Sequence, residues 1–239
     1  MKNLIYYICN NQYKDIAQFN IERVQHLAPN VDTCCIVSND VVFNDVKPTH
    51  TYVIDNFDYR YSAKYLICKW DKRDEYENFL YLDTDAIAIK NVQQLFDIID
   101  SDKDKVHGVK EYDNFNSCGE YHRFDNIIYP GNPVAYNAGT IGFNKKLISI
   151  FSLFLEYIEL NKTKALLDQS LFNEFFISKN LLIPSFTNLV HLYGEHSEIK
   201  GDNNGTLLNA ATIAHFFGGV YQGKNVNLIK EILNRNNLI

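Results

Sequence analysis

The sequence predicts an α/β fold: a mainly parallel, mixed central sheet flanked by helices. Two observations carry that expectation. Strand-length apolar runs alternate with helix-period segments along the chain. The 239 residues also show no internal repeat and no low-complexity linker, which fits one domain spanning 1–239. In folds of this kind ligands bind beyond the carboxyl ends of the strands.

Taken in order, Asn3–Cys9 reads as the first strand and Asn10-Asn11-Gln12 as a polar turn. Tyr13–Leu27 then sets Ile16, Phe19 or Asn20, Val24 and Leu27 at helical spacing and stops before Pro29. Thr33–Val37 and His50–Ile54 read as strands, and Tyr59–Trp70 as a helix. Asn78–Leu82 is a buried strand, rich in aromatic and branched residues, and Val92–Ile99 is a short helix. Val106–Val109 and Tyr136–Phe143 are strands around a long irregular stretch. Leu147–Leu160 and Ala165–Phe176 read as helices, Ala211–Phe217 as a late strand, and Val226–Leu233 as a closing helix that docks on the core.

The formal charge is −6, and no run of Lys or Arg exceeds two residues. Nucleic acid and anionic membrane surfaces are therefore poor partners. The five cysteines form no Cys-x-x-Cys and read as buried thiols of a reducing compartment, which points to a cytoplasmic protein without zinc or disulfides. The apolar run Leu4–Cys9 is too short for a signal-peptide core, and no window reaches transmembrane length without charge. Oligomeric state is open.

The strand Phe79–Leu82 delivers Asp83-Thr84-Asp85 at its end. Two unpaired anions at the mouth of a buried strand are costly without a cation. In an extended backbone Asp83 and Asp85 project to one side and Thr84 to the other. Two carboxylate ligands suit Mn²⁺ or Mg²⁺, and such a site keeps positions open for phosphate oxygens. Further Asp-x-Asp matches at Asp100-Ser101-Asp102 and Asp102-Lys103-Asp104 lie in a solvated, mixed-charge loop.

Four separated segments extend this pattern: Tyr81-Leu82-Asp83-Thr84-Asp85, Tyr136-Asn137-Ala138-Gly139, Leu167-Asp168-Gln169-Ser170, and Ala214-His215-Phe216-Phe217-Gly218. In this order they resemble the family 8 glycosyltransferases, the group that includes glycogenin and bacterial lipopolysaccharide galactosyltransferases. The resemblance implies a GT-A fold and retaining transfer of a hexose-type sugar from a nucleotide donor, usually a UDP-sugar. The acceptor is a hydroxyl on a glycan, a protein or another molecule. It also implies that Asp83, Asp85 and His215 hold Mn²⁺, with Mg²⁺ as the second candidate.

The other donor contacts it implies are Asn10 and Tyr13 for the base, Lys64 where the family commonly has Arg, and the backbone around Thr84. Asn137, Ala138 and Gly139 let the sugar lie against small residues, Asp168 and Gln169 face the reacting sugar, and Gly218 follows the histidine. Where the family usually continues with a Lys, this chain has Tyr221, and Lys224 is the nearest replacement. Residue types alone leave plainer readings open: an ordinary turn at Asn10, a solvated Lys64, an N-cap Asp168 and a core His215. The aromatic-rich stretch Tyr112–Tyr136 is the acceptor-loop candidate. The rival functions are a non-catalytic sugar-nucleotide or glycan binder and a nucleotidyltransferase. Asn10-Asn11-Gln12 lacks the basic, Gly-rich loop that the latter needs.

Overall fold

The computed structural model describes residues 2–55, 62–113, 133–162, 168–193, 207–216 and 225–239. Ten strands and five α-helices follow one another among them: β1 (Asn3–Cys9), α1 (Lys14–Leu27), β2 (Asp32–Val37), β3 (His50–Val53), β4 (Asn78–Leu82), β5 (Ala86–Ala88), α2 (Gln93–Ser101), β6 (Val106–Tyr112), β7 (Ala135–Asn144), α3 (Ile148–Asn161), α4 (Asp168–Ser178), β8 (Leu182–Ile183), β9 (Val190–Tyr193), β10 (Ile213–Phe216) and α5 (Val226–Arg235). A seven-stranded sheet runs in the order β3-β2-β1-β4-β7-β6-β8. β1 pairs in parallel with both β2 and β4, and only β7 runs against its neighbours. A second sheet has the order β5-β10-β9.

Both faces of the large sheet are buried, so its strands alternate between two apolar cores. Leu4, Tyr6 and Ile8 of β1 face one core with Phe79 and Tyr81 of β4. Ile5, Tyr7 and Cys9 face the other with Leu80 and Leu82. The first core is covered by α3, α4 and the 3₁₀ helix Ala63–Lys69, and the second by α1 and α2. This two-sided burial is why β4 reads as a continuous apolar run. A third cluster joins α5, through Ile229, Ile232 and Leu233, to Ile16 and Phe19 of α1 and to β5 and β10. The closing helix thus docks on the core as expected. The four described cysteines are free and buried, and among the described residues no helix is long and apolar enough to cross a membrane.

Three details go beyond the sequence reading. Within 62–70 the expected helix takes the 3₁₀ form, Ala63–Lys69. Tyr136 lies at the start of β7, where a strand was expected, and belongs to the core, 4% exposed with its hydroxyl donating to Leu182 O. The residue on the inner face of α1 is Asn20 as well as Phe19. Asn20 is fully buried because its amide completes the open edge of β5, donating to Ala86 O and accepting from Ala88 N–H. Of the acceptor-loop candidate Tyr112–Tyr136, Tyr112 ends β6 and is exposed, whereas residues 114–132, with Phe115, Tyr121, Phe124 and Tyr129, lie outside the described residues.

Candidate active site

β1 and β4 are adjacent and parallel, while β2 leaves the other side of β1, so the strand order reverses at β1. A crevice opens at the carboxyl ends of strands at such a point. The carboxylates arrive there on a turn rather than an extended strand, since Ala86 N–H donates to Asp83 O at 2.9 Å. This corrects the extended geometry assumed from sequence. Two ladders bring the other segments in. The β4–β7 pairing continues past Leu82, with Asp83 N–H donating to Gly139 O at 2.8 Å. The β5–β10 pairing sets His215 opposite Ala86, and Phe216 N–H donates to Asp85 O at 3.0 Å.

The result is a cluster in which His215 Nε2 lies 3.7 Å from Asp83 Oδ2 and 3.4 Å from Asp85 Oδ1. One atom from each of the three residues lies within 4.8 Å of the others, a separation that a single ion can bridge. The other oxygen of Asp83 accepts from the Tyr81 hydroxyl, which orients the carboxylate. Burial pushes the Asp85 carboxyl up, and the charge of Asp83 adds to that. Burial alone would lower His215, but its hydrogen bond to Asp85 and the charges of Asp85, Asp83 and Glu111 hold it above its ordinary value.

Gly139 tests whether the pocket fits an ion. A Cβ there would stand 2.3 Å from His215 Cε1 and 2.5 Å from Asp83 Oδ2. Glycine therefore leaves room beside His215 and Asp83, and two carboxylates with an imidazole are a donor set that would suit Mn²⁺.

Beside this cluster lies a second one. Lys64 is buried, which removes the reading of a solvated lysine. Its ammonium donates to Ala138 O, pairs with Asp168 Oδ2 at 2.9 Å, and lies 4.0 Å from Asp83 Oδ1 and over the Tyr81 ring. Burial alone would lower it, but Asp168 and Asp83 hold it above the usual lysine value. The Tyr65 hydroxyl donates to the same Asp168 oxygen at 2.8 Å. Asp168 opens α4, yet its carboxylate serves this pair.

Gln169 accepts from Ala138 N–H at 2.9 Å and donates to Glu111 at 3.0 Å. Asn137 accepts from Gly139 N–H at 2.8 Å and reaches the same Glu111 oxygen at 3.5 Å. At the first turn, Asn10 Oδ1 accepts from the amides of Gln12 and Tyr13, leaving its side-chain NH₂ for other partners. Tyr13 is the N-cap residue of α1, and burial followed by the charges of Asp85 and Asp83 raises its phenol. Thr84, between the two carboxylates in sequence, is buried. Gly218 and Lys224, with Tyr221, lie outside the described residues.

The sequence reading missed Glu111. It belongs to none of the four motifs, and only its place at the end of β6, before the long irregular stretch, could have drawn attention to it. Four carboxylates (Asp83, Asp85, Glu111, Asp168) thus meet one buried lysine and one histidine, an imbalance that a divalent cation offsets.

Residues 6–220 match the family model described as glycosyl transferase family 8. The chain belongs to that family and is a glycosyltransferase. No curated protein sequence matches it. Among solved structures it resembles the galactosyltransferase LgtC in complex with donor and acceptor sugar analogs, at 15% identity and a TM-score of 0.62, over 90% of this chain and 87% of that one. An active-site glutamine-to-glutamate mutant of LgtC gives a TM-score of 0.64, also at 15% identity, over 90% and 88%. Mouse xyloside xylosyltransferase 1 in its apo form gives 0.58 at 11% identity, over 93% and 99%. The fold is thus of the GT-A kind, as expected.

Proposed function

We propose that this chain is one GT-A domain that transfers a hexose-type sugar from a UDP-sugar to a glycan or protein-linked hydroxyl, with retention of configuration, in the cytoplasm. The observation that carries the reading is the Asp83–Asp85–His215 cluster closed around the bare Cα of Gly139. Mn²⁺, with Mg²⁺ second, is the ion these residues would hold, and its chemistry there is neutralisation of the departing nucleoside diphosphate. The neighbour solved with donor and acceptor sugar analogs supports a nucleotide-sugar donor and a glycan acceptor.

The chain's own groups divide the remaining work. Asn10 and Tyr13 border the base position at the end of β1. Ala138 and Gly139 offer the donor sugar a surface without bulk, and Asp168 faces it from the start of α4. Asp168 is bound through one oxygen to both Lys64 and Tyr65. A carboxylate held by an ammonium and a phenol is a poor nucleophile, which favours same-face attack over a covalent sugar–enzyme intermediate.

Calorimetry with UDP, beside an assay of UDP release from UDP-sugars, tests the reading. Chelator should abolish both signals, and Mn²⁺ should restore them better than Ca²⁺, whose larger shell fits three ligands poorly. Asp85→Asn should weaken Mn²⁺ and UDP together. Full activity in excess chelator would overturn the metal assignment, and UDP binding without turnover on any donor would leave a sugar-nucleotide binder.

A further inference from the structure

We propose that Glu111 is a positioning residue for sugar transfer: its carboxylate locks the side-chain amides of Gln169 and Asn137 in one orientation and so fixes the sugar-facing segment Asn137–Gly139. This deepens the function proposed above and rests on it.

The argument begins with a defect in the sheet. Between β6 and β7 the register jumps from His107↔Gly142 to Val109↔Asn137. The stretch Ala138–Ile141 therefore faces a single β6 residue, Gly108. Ala138 N–H and Gly139 N–H are buried backbone donors, and such donors need acceptors. Gln169 Oε1 and Asn137 Oδ1 supply them at 2.9 and 2.8 Å. With each amide oxygen committed to a backbone N–H, each amide nitrogen must point the opposite way. Both point at Glu111 Oε2, at 3.0 and 3.5 Å. One carboxylate oxygen thus ends two parallel chains that each begin on the β7 backbone.

A second irregularity aims Glu111 there. Lys110 pairs with Tyr136 and Tyr112 with Ala135, so Glu111 is the extra residue of a bulge. Bulges re-aim one side chain and recur next to active sites. The carboxylate is bound by side-chain amides, and no lysine or arginine pairs with it among the described residues. Its Oε2 thus serves the two amides.

Three substitutions separate acceptance from charge. Glu111→Gln keeps the reach and one acceptor oxygen but loses the charge. Glu111→Asp keeps the charge but withdraws the oxygen by about one methylene, beyond hydrogen-bond reach of Gln169. Glu111→Ala loses both. The expected result is kcat within about threefold of wild type for Glu111→Gln and a fall of about 10–100-fold for Glu111→Asp and Glu111→Ala, the range seen when a supporting contact behind an active group is lost. UDP affinity in Mn²⁺ should fall by less than kcat does throughout, because Glu111 is hydrogen-bonded to Gln169 and Asn137 and reaches the Asp83–Asp85–His215 cluster only through them and through its charge.

Glu111→Ala should slow Gln169→Ala by much less than it slows wild type, since the Gln169 chain is already broken and only the longer Asn137 contact remains to be lost. In ¹H–¹⁵N spectra the Gln169 side-chain NH₂ should shift and exchange faster in Glu111→Asp but not in Glu111→Gln. The proposal is overturned if Glu111→Gln is as slow as Glu111→Ala, if the double variant shows additive losses, or if the Gln169 resonances ignore Glu111→Asp. The spectra need no donor, so they judge the clamp even if no UDP-sugar turns over, an outcome that would instead sink the function proposed above.

Discussion

Replacing Gly139 with alanine probes the centre of the candidate site with the smallest possible intrusion. The added methyl would sit 2.3 Å from His215 Cε1, 2.5 Å from Asp83 Oδ2 and 2.9 Å from His215 Nε2. All three are side-chain atoms of the ligand cluster, so the backbone of β7 can stay while the histidine and the carboxylate move apart. Either ligand leaving its place removes one of three donors. Loss of a merely supporting contact costs metal sites about 10–100-fold in affinity, so displacement of a ligand should cost at least about 100-fold, or about 2.7 kcal/mol. Overpacking should cost the fold about 1–3 kcal/mol.

Gly142→Ala on the same strand is the control. Its Cβ would meet the Phe186 ring at 2.5 Å and Ile99 at 2.8 Å, both in the core away from the carboxylates. Calorimetry with Mn²⁺ and UDP, beside urea melts, should find both variants destabilised but only Gly139→Ala deficient in binding. If Gly139→Ala binds Mn²⁺–UDP within threefold of wild type, the ion is not held where Asp83 and His215 converge.

Other substitutions test the supports of the site. Lys64→Met leaves Asp168 buried without its cation and should destabilise by about 3–5 kcal/mol in urea melts, with Lys64→Arg less damaging because the charge is kept. Asn20→Leu orphans Ala86 O and Ala88 N–H and should cost about 2–5 kcal/mol, while loosening the turn that carries Asp83 and Asp85 enough to weaken Mn²⁺ binding. His107 bridges Ser185 Oγ and Asp102 O, and burial holds its pKa below the ordinary 6.5. The unfolded chain therefore binds more protons below pH 6.5, and the stability His107 confers is lost as pH falls through its folded value. In metal-free urea melts, the stability advantage of wild type over His107→Gln should shrink between pH 7 and 5, by up to about 1.4 kcal/mol per pH unit.

Local patterns were enough to read most elements, and the reasons differ where they were not. β4 and β1 are buried on both faces, so their apolar runs are unambiguous. β5, β8 and β9 are two to four residues long. They hold their shape through partners distant in sequence, such as Asn20 for β5 and Ile213 for Val190, and a short window contains no trace of those. Asn20 was legible as a position on the inner helix face but not as a backbone partner, because its role depends on an open strand edge 66 residues away. The Asp83–Asp85–His215 cluster was legible as a candidate metal site because the chemistry of Asp-x-Asp and histidine is carried by residue type. Glu111 was not, because a bulge aims it and nothing in its immediate sequence marks that bulge.

The geometry ties substrate binding to the cohesion of the fold. Asp83 extends from β4 of the large sheet, whereas His215 belongs to β10 of the small one. One link between the two sheets is the three-residue turn bearing the carboxylates, with Asn20 of α1 bonded to β5 just beyond it. An ion held by Asp83, Asp85 and His215 would therefore crosslink the sheets as well as receive a diphosphate. A ligand that binds only the folded state adds about 2.7 kcal/mol at a hundred times its dissociation constant. For this chain that gain should appear mainly as slower opening of the small sheet. Amide exchange in β10 should slow on adding Mn²⁺ and UDP, while exchange in β2, held wholly within the large sheet, should follow only the global stability.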